Sequence, residues 1–88
     1  MNREKNFGEI IMELKDTIEM MTSEDYRERF KAEYLQTRIR AGRLHSLIQQ
    51  GGRPNIILAG MKMQLNHMLN YMAALTFRAY IEGLDLED

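Results

Sequence analysis

The fold is decided by residues 47–58, which read LIQQGGRPNIIL. Two glycines, an arginine and Pro54, the only proline of the chain, separate two long segments with helical spacing of apolar residues. Glycine ends a helix readily, and proline is tolerated at a helix start because its missing N–H is not needed there. The stretch therefore predicts a tight turn between two long helices, over about residues 23–50 and 55–82.

Each predicted helix carries an apolar stripe with steps of three and four residues. The stripe of the first comprises Tyr26, Phe30, Tyr34, Thr37, Ala41, Leu44 and Ile48. The stripe of the second, which Gly83 is suited to terminate, comprises Leu58, Met61, Leu65, Met68, Met72, Leu75 and Ala79. A further apolar set lies partly off that stripe, at Leu69, Ala73, Phe77, Tyr80 and Ile81. One partner helix cannot cover both faces, so we expect self-association.

A shorter amphipathic helix is predicted before the hairpin. Its stripe comprises Phe7, Ile10, Ile11, Leu14, Ile18 and Met21. Thr22 or Ser23 is then expected to cap the next helix, with Glu24 and Asp25 in its first turn. The sequence thus predicts an all-α fold: an N-terminal amphipathic helix (residues 1–21) and a long antiparallel helical hairpin (residues 22–88) in one structural domain, which assembles into a compact oligomer.

Size and composition support the oligomer. A chain of 88 residues buries only about 60–65% of its unfolded surface, and without cysteine it has no disulfide or thiolate metal site to stabilise it. Oligomerisation is the remaining common solution. No apolar run approaches the roughly 18 residues of a membrane span, and no signal peptide is recognisable. We therefore expect a cytoplasmic protein that does not bind membranes.

Charge is sorted along the chain. Residues 34–81 contain no Asp or Glu and carry +6, whereas residues 1–33 carry −3 and residues 82–88 carry −4. Five of the six cations are arginines, which suit bidentate contacts with phosphate. A ligand with one or several phosphates is therefore expected rather than duplex nucleic acid, which usually requires a strongly basic surface. The cations are Arg38, Arg40, Arg43, Arg53, Lys62 and Arg78.

Arg78 is the strongest single candidate for a ligand contact. It lies between Phe77 and Ala79, in the most apolar part of the last helix. An arginine there either extends to solvent or meets an anion at an interface. Since its helix has no acid up to residue 81, an anionic ligand is the partner that we expect in an oligomer.

The other arginines cannot all serve one small site within a chain. Arg40 and Arg43 are three residues apart and occupy neighbouring positions on a helix, whereas Arg38 projects elsewhere. In an oligomer they could serve two sites, and the alternative for each is a solvated charged face. Arg53 at the turn either reaches a phosphate or is simply exposed.

Tyr26 is the candidate platform for a nucleobase, because a base stacks on an aromatic ring and this ring lies at the start of a helix, where it can be half exposed. Tyr34 fits core packing better. His45 and His67 lack the spacing of a metal motif, and we find no paired carboxylates, nucleophile elbow or glycine-rich phosphate loop. The expected protein is a binder without metal or cofactor, not an enzyme.

A resemblance gives these residues a context. The run DYRERFKAEYL at 25–35 is followed by Arg38-Ile39-Arg40, Leu44 and Leu47-Ile48, and the later part has Gln64, Met68, Tyr71-Met72, Leu75, Arg78 and Glu82-Gly83. Over about residues 22–84 this pattern resembles the small helical-hairpin proteins of phages and prophages that include the anti-CBASS and anti-Thoeris sponges. The resemblance implies a hexamer in the host bacterial cytoplasm that binds cyclic oligonucleotides without cleaving them, and so evades CBASS immunity.

The resemblance also implies two kinds of site. Cyclic dinucleotides lie between protomers, on a tyrosine that matches Tyr26 and a basic residue of the same helix. That residue matches Arg40 if a one-residue gap is allowed; otherwise it falls on Ala41, two positions before Arg43, and an expected lysine is replaced by arginine. Cyclic trinucleotides lie near symmetry axes, on an arginine that matches Arg78.

Two other functions stay open at this stage. One is a small phage inhibitor or regulator that docks an apolar helix face on a host complex, which the wide apolar surface of the last helix favours. The other is a structural or nucleic-acid-binding accessory protein.

Overall fold

The computed structural model describes residues 13–86. They form a 3-10 turn at Leu14–Thr17, the short helix α1 at Ile18–Met21, the long helix α2 at Tyr26–Gln50 and the long helix α3 at Asn55–Glu82. No strand occurs in this part of the chain. The all-α class and the pair of long helices are therefore confirmed, and α3 has the predicted bounds. The predicted stripe residues Phe7, Ile10 and Ile11 lie outside the described residues.

The segment before α2 differs from the predicted continuous helix. Where it is described, it begins at Leu14, because Glu13 and Asp16 form a capping box in which the Glu13 N–H donates to Asp16 Oδ2 at 3.0 Å. The Thr17 hydroxyl donates to the Leu14 carbonyl at 2.7 Å within the 3-10 turn. The segment changes to α geometry at Ile18 and ends after one turn. Its polar groups thus hold two short turns in place of one long helix over residues 13–21.

The predicted N-cap of α2 is wrong by two or three residues. Asp25 is the cap: its Oδ1 accepts a hydrogen bond from the Arg27 N–H at 2.9 Å. Ser23 shapes the turn before the helix, since its Oγ accepts from the Asp25 N–H at 3.0 Å. An aspartate two residues after a serine competes for the same role, and the carboxylate also interacts favourably with the N-terminal end of the helix dipole.

The two glycine-containing ends behave as predicted. Gly51 and Gly52 have positive φ values of 71° and 82°, which end α2 and turn the chain toward Pro54. Gly83 is left-handed, with φ 74°, and the next N–H, of Leu84, donates to the Ala79 carbonyl at 2.8 Å. This is a Schellman arrangement, and it sends the C-terminal residues back along the hairpin.

The core lies at the open end of the hairpin, away from the turn. Phe30 of α2 packs with Leu75 and Ala79 of α3, and Leu86 of the returning tail closes the cluster. The predicted α3 stripe is the face that meets α2, because its seven residues are buried or half-buried. The packing of this tail was not predicted from the sequence.

A second face of α2 receives the N-terminal segment. Gln36 is buried there, and its Nε2 donates to the Thr17 hydroxyl at 2.8 Å. The three helical pieces therefore pack around α2, which has two covered faces.

The outer face of α3 remains uncovered, as its second apolar set predicted. Phe77, Tyr80 and Ile81 are 66%, 82% and 65% exposed. Within residues 13–86, neither α3 nor another helix combines the length and the apolar character needed to cross a bilayer.

Candidate functional site

Three polar side chains meet at the open end of the hairpin. Tyr26 is the first residue of α2, and Arg78 and Glu82 lie in the last turns of α3, so the antiparallel arrangement brings them together. Arg78 Nη2 donates to the phenolic oxygen of Tyr26 at 3.0 Å, and that hydroxyl donates to Glu82 Oε1 at 2.9 Å. The ring of contacts is closed by a 3.5 Å ion pair between Arg78 Nη2 and Glu82 Oε2. We call these three residues the open-end cluster.

The buried ring of Phe30 packs against two members of the open-end cluster. The guanidinium carbon of Arg78 lies 4.8 Å from the centroid of the Phe30 ring, and the Tyr26 ring meets Phe30 edge to face at 5.9 Å. Phe30 itself is fixed in the core. Cation–π and aromatic contacts of this kind add orientation as well as energy. Arg78 and Tyr26 are thus held in place while both stay accessible to solvent.

Two donor atoms of the Arg78 guanidinium are available to a ligand. Its contacts with Tyr26 and Glu82 both use Nη2, and its side chain is 53% exposed. Among residues 13–86, its Nε and Nη1 atoms have no hydrogen-bond partner. Nε and Nη1 lie on different edges of the guanidinium, so each can donate to one phosphate oxygen, and a bidentate contact along either edge would also need Nη2.

Hydrogen bonding raises the pKa of the Tyr26 phenol above its ordinary value of 10.0. The main cause is the hydrogen bond that the phenol donates to Glu82, followed by desolvation, and nearby Arg78 opposes the shift. At neutral pH the phenol is therefore uncharged and acts as both donor and acceptor. It bridges the cation and the carboxylate of the cluster.

The expectation that Arg78 lacks an acidic neighbour is wrong. Glu82 is the first acid after the acid-free segment and lies one helical turn from Arg78, which is the spacing at which side chains on a helix surface meet. Arg43 is neutralised in the same way by an acid that precedes the acid-free segment, since its Nη2 lies 3.2 Å from Glu13 Oε1. The separation of charge along the sequence is thus reduced by folding.

The other candidate arginines lie elsewhere in the protomer. At about 1.5 Å per residue, Arg38, Arg40 and Arg43 are about 18–26 Å from Tyr26 along the axis of α2. Arg38 lies over the Tyr34 ring at 5.7 Å from its centroid, and Arg40 is exposed. Only an assembly of several chains could bring these residues to the open-end cluster.

Arg53 has a structural role at the opposite end of the hairpin. Its Nη1 donates to the Leu47 carbonyl at 2.9 Å and so satisfies one of the free carbonyls at the C-terminal end of α2. The predicted ligand-binding residues thus lie in three regions, which are the open end of the hairpin, the second half of α2 and the turn. Within one protomer, Tyr26 and Arg78 are the two that the structure brings together.

Glu82 is the member of the open-end cluster that the sequence did not predict, and Glu33 is a second acid whose contact was not predicted. Glu33 accepts a hydrogen bond from the Tyr71 hydroxyl at 2.9 Å, and this bond is the main cause that raises the pKa of Tyr71 above 10.0. The spacing of four between Arg78 and Glu82 was a usable signal, whereas the contact between Glu33 and Tyr71 depends on the register of the two helices. No group of three or more metal-ligating side chains occurs within residues 13–86.

Comparison with known families gives one match. The Sequestin family model matches residues 24–81, which include both Tyr26 and Arg78. Neither the curated proteins nor the solved structures give a significant match. The matched region takes in α2, the turn and nearly all of α3, which is well over half of the chain. The chain belongs to the Sequestin family.

Proposed function

We propose that this protein binds cyclic di- or trinucleotides and holds them intact, which deprives bacterial CBASS-type signalling of its messenger. The name of the family denotes sequestration. The resemblance of the hairpin to phage sponges indicates cyclic oligonucleotides as the ligand class. The observation that carries the proposal is the pairing of Tyr26 with Arg78 on one exposed surface. A nucleotide offers a flat base beside a phosphate, and this pair offers a flat ring beside a guanidinium.

The cluster supplies complementary contacts to such a ligand. The Tyr26 side of the cluster offers a stacking surface, since this residue is 45% exposed. The free Nε and Nη1 donors of Arg78 would each take one phosphate oxygen, and a bidentate contact would also use Nη2, which contacts Tyr26 and Glu82. Glu82 opposes the phosphate by its charge, so binding requires the guanidinium to exchange part of its pairing with Glu82 for pairing with the ligand.

A symmetric assembly would multiply these contacts. Each protomer has one Tyr26–Arg78 pair, whereas a cyclic dinucleotide has two phosphates and a trinucleotide has three. Protomers related by symmetry would present the same pair to each phosphate in turn. The hexamer that the resemblance implies provides axes of both kinds, and Arg40 or Arg43 of a neighbouring chain would then complete a site.

The chemistry of the cluster favours retention over cleavage. An in-line attack on a phosphodiester needs a base or an activated nucleophile near the phosphorus atom. The Tyr26 phenol has a raised pKa, which disfavours its ionised form at neutral pH. Glu82 is engaged with both Tyr26 and Arg78. We therefore propose that this protein is not an enzyme.

Calorimetric titration with a panel of cyclic di- and trinucleotides tests the proposal. We expect at least one cyclic ligand to bind, duplex DNA to show no binding, and the bound ligand to be recovered intact by chromatography after denaturation. Arg78→Ala should weaken binding strongly, whereas Lys62→Ala, which removes an exposed cation elsewhere on α3, should not. Failure of every cyclic nucleotide to bind would favour a protein inhibitor instead, and a linear product would reveal an enzyme.

A further inference from the structure

The outer face of α3 has a seven-residue repeat. Four residues follow each other at intervals of seven, namely Ile56, Met63, Asn70 and Phe77, and four more lie three positions later, namely Ala59, Asn66, Ala73 and Tyr80. All eight are exposed, and they lie on the side of α3 that faces away from α2. Alternating steps of three and four residues define the contact line of a coiled coil. We call these eight positions the outer seam.

The outer seam exposes enough apolar surface for an interface. Its large members, together with the flanking Leu69 and Ile81, are between 50% and 82% exposed. At roughly 150–200 Å² for a large side chain, these six expose on the order of 700 Å². One partner of a standard protein interface buries about 800 Å². An apolar face of this size is unusual on a monomer of this length.

The sequence of the outer seam is complementary to itself when it is reversed. In an antiparallel pair in which residue numbers sum to 136, Ala59 meets the partner's Phe77 and Met63 meets the partner's Ala73. Large residues face small ones in these layers, as close packing requires, whereas Ile56 meets the partner's Tyr80 at the two ends of the outer seam. A parallel pair would instead place Phe77 on Phe77 and Ala59 on Ala59, which crowds one layer and leaves a void in another.

The two polar residues of the outer seam select the same register. With a sum of 136, Asn66 meets the partner's Asn70, and the two-fold axis relates this contact to a second one. A shift by one heptad would place each asparagine against an apolar or small residue, which leaves its amide without a partner. A buried asparagine of this kind is known to fix register and partner number in coiled coils.

Charge disfavours the parallel alternative as well. Lys62 flanks the outer seam, and α3 has no acid before Glu82. A parallel pair would bring two Lys62 side chains to the same level, whereas the antiparallel pair places Lys62 beside the partner's Thr76. Reversed helices also have favourably opposed dipoles.

We propose that the outer seam binds the outer seam of a second copy of this chain, antiparallel and in the register that joins Asn66 to the partner's Asn70. The occupant is a second copy because the pattern complements its own reverse, which is the requirement for a two-fold interface. The pairing also brings the start of the partner's α3 to the open end of the hairpin, where Tyr26 and Arg78 lie. It needs no ligand, so it stands or falls independently of nucleotide binding.

Light scattering on the ligand-free full chain tests the interface. We expect a mass that is an even multiple of the 10.4 kDa protomer. Met63→Asp places a charge in the outer seam and should at least halve that mass, with helicity retained because Met63 is exposed. Gln64→Asp is the matched control, since this neighbour is exposed but lies outside the outer seam. A monomeric wild type, or equal effects of the two substitutions, would overturn the proposal.

Disulfide trapping tests the register, because the chain has no cysteine of its own. We expect a Met63→Cys chain mixed with an Ala73→Cys chain to form a mixed disulfide faster than either chain forms a disulfide with itself. Antiparallel pairing places these two positions in one layer, whereas it separates Ala73 from the partner's Ala73 by well over the roughly 7 Å that a disulfide can span. Preferred self-linking of Ala73→Cys would mean a parallel pair and would overturn the register.

Discussion

Arg78 and Tyr26 are hydrogen-bonded to each other, with 3.0 Å between Nη2 and the phenolic oxygen, although 52 residues separate them. The resemblance to phage sponges assigns these two residues to different sites, Tyr26 to a dinucleotide site and Arg78 to a trinucleotide site. In this chain each of them positions the other, and both rest on Phe30. A ligand that contacts one of them therefore approaches the other.

The first prediction follows from this contact. Arg78→Ala and Tyr26→Ala should each weaken the binding of a cyclic dinucleotide and a cyclic trinucleotide together, the tyrosine variant by roughly five- to hundredfold, as expected for one stacked base. Tyr26→Phe keeps the ring and should lose less. Calorimetry on each variant measures these changes, and light scattering should show an unchanged assembly. The sequence-based expectation is the opposite, with each variant losing only one class of ligand, so selective losses would support two separate sites.

The second prediction concerns Glu82. Its carboxylate lies 3.5 Å from Arg78 and competes with a phosphate for the guanidinium. Glu82→Gln removes that charge and still provides an oxygen to accept the hydrogen bond from Tyr26. We expect cyclic nucleotides to bind about two- to fivefold more tightly, the range for an exposed ion pair. Glu19→Gln, at an exposed position of α1, changes the net charge equally and should have little effect. A weaker affinity in Glu82→Gln would assign the carboxylate a role in holding the ligand.

The features of the fold that the sequence predicts are those that local chemistry determines. The turn at residues 51–54 and the C-terminal stop at Gly83 follow from backbone preferences, and the inner face of α3 follows from its steps of three and four residues. These features need no knowledge of the partner helix. The N-cap of α2 was placed too early because Ser23 and Asp25 both fit the role, and only the local geometry decides between them.

The missed features depend on contacts between distant residues. Leu86 packs on Phe30 only because the chain reverses after Gly83, and two leucines among the acids of the tail carry no helical periodicity. Glu13 likewise reaches Arg43 across 30 residues. A count of charges along the sequence cannot anticipate such pairs, and for this reason the positive field expected for residues 34–81 is partly neutralised in the fold.

A third prediction uses the two tyrosines with raised pKa values. Tyr26 donates to Glu82 and Tyr71 donates to Glu33, and each bond stabilises the neutral phenol. Because folding raises both pKa values above 10.0, the two hydrogen bonds stabilise the folded state fully below pH 10. This stabilisation is lost as the pH rises through the pKa values of the folded state. Stability should therefore fall on the alkaline side, and not between pH 5 and pH 8, because of these two groups.

Alkaline titration followed by phenolate absorbance checks this prediction. Tyr26→Phe and Tyr71→Phe should each remove one late-titrating group, and Glu82→Gln should move the pKa of Tyr26 back toward 10.0. An unchanged titration of Tyr26 in Glu82→Gln would show that the phenol and the carboxylate are not hydrogen-bonded in solution.

The last prediction tests how the N-terminal segment is attached to α2. Gln36 Nε2 donates to the Thr17 hydroxyl at 2.8 Å in a buried contact, and that hydroxyl donates to the Leu14 carbonyl at 2.7 Å. Thr17→Val leaves the Gln36 amide buried without an acceptor, which should lower the free energy of unfolding by about 1–3 kcal/mol. Replacing both partners with apolar residues, in Thr17→Val with Gln36→Leu, removes the unsatisfied group and should recover most of that loss.

Urea unfolding measures the free energy of unfolding of Thr17→Val, of the double variant and of a control. The protein concentration is kept fixed, because an assembly makes stability concentration-dependent. Thr76→Val is the matched control: the Thr76 hydroxyl also donates to a backbone carbonyl, that of Met72, at 2.9 Å, but the residue is exposed and its loss leaves no buried amide. We expect Thr76→Val to cost much less than Thr17→Val. If the two threonine variants were equally stable, the segment that contains Thr17 would not be docked on α2 in solution, since only docking makes the hydroxyl a required acceptor for Gln36.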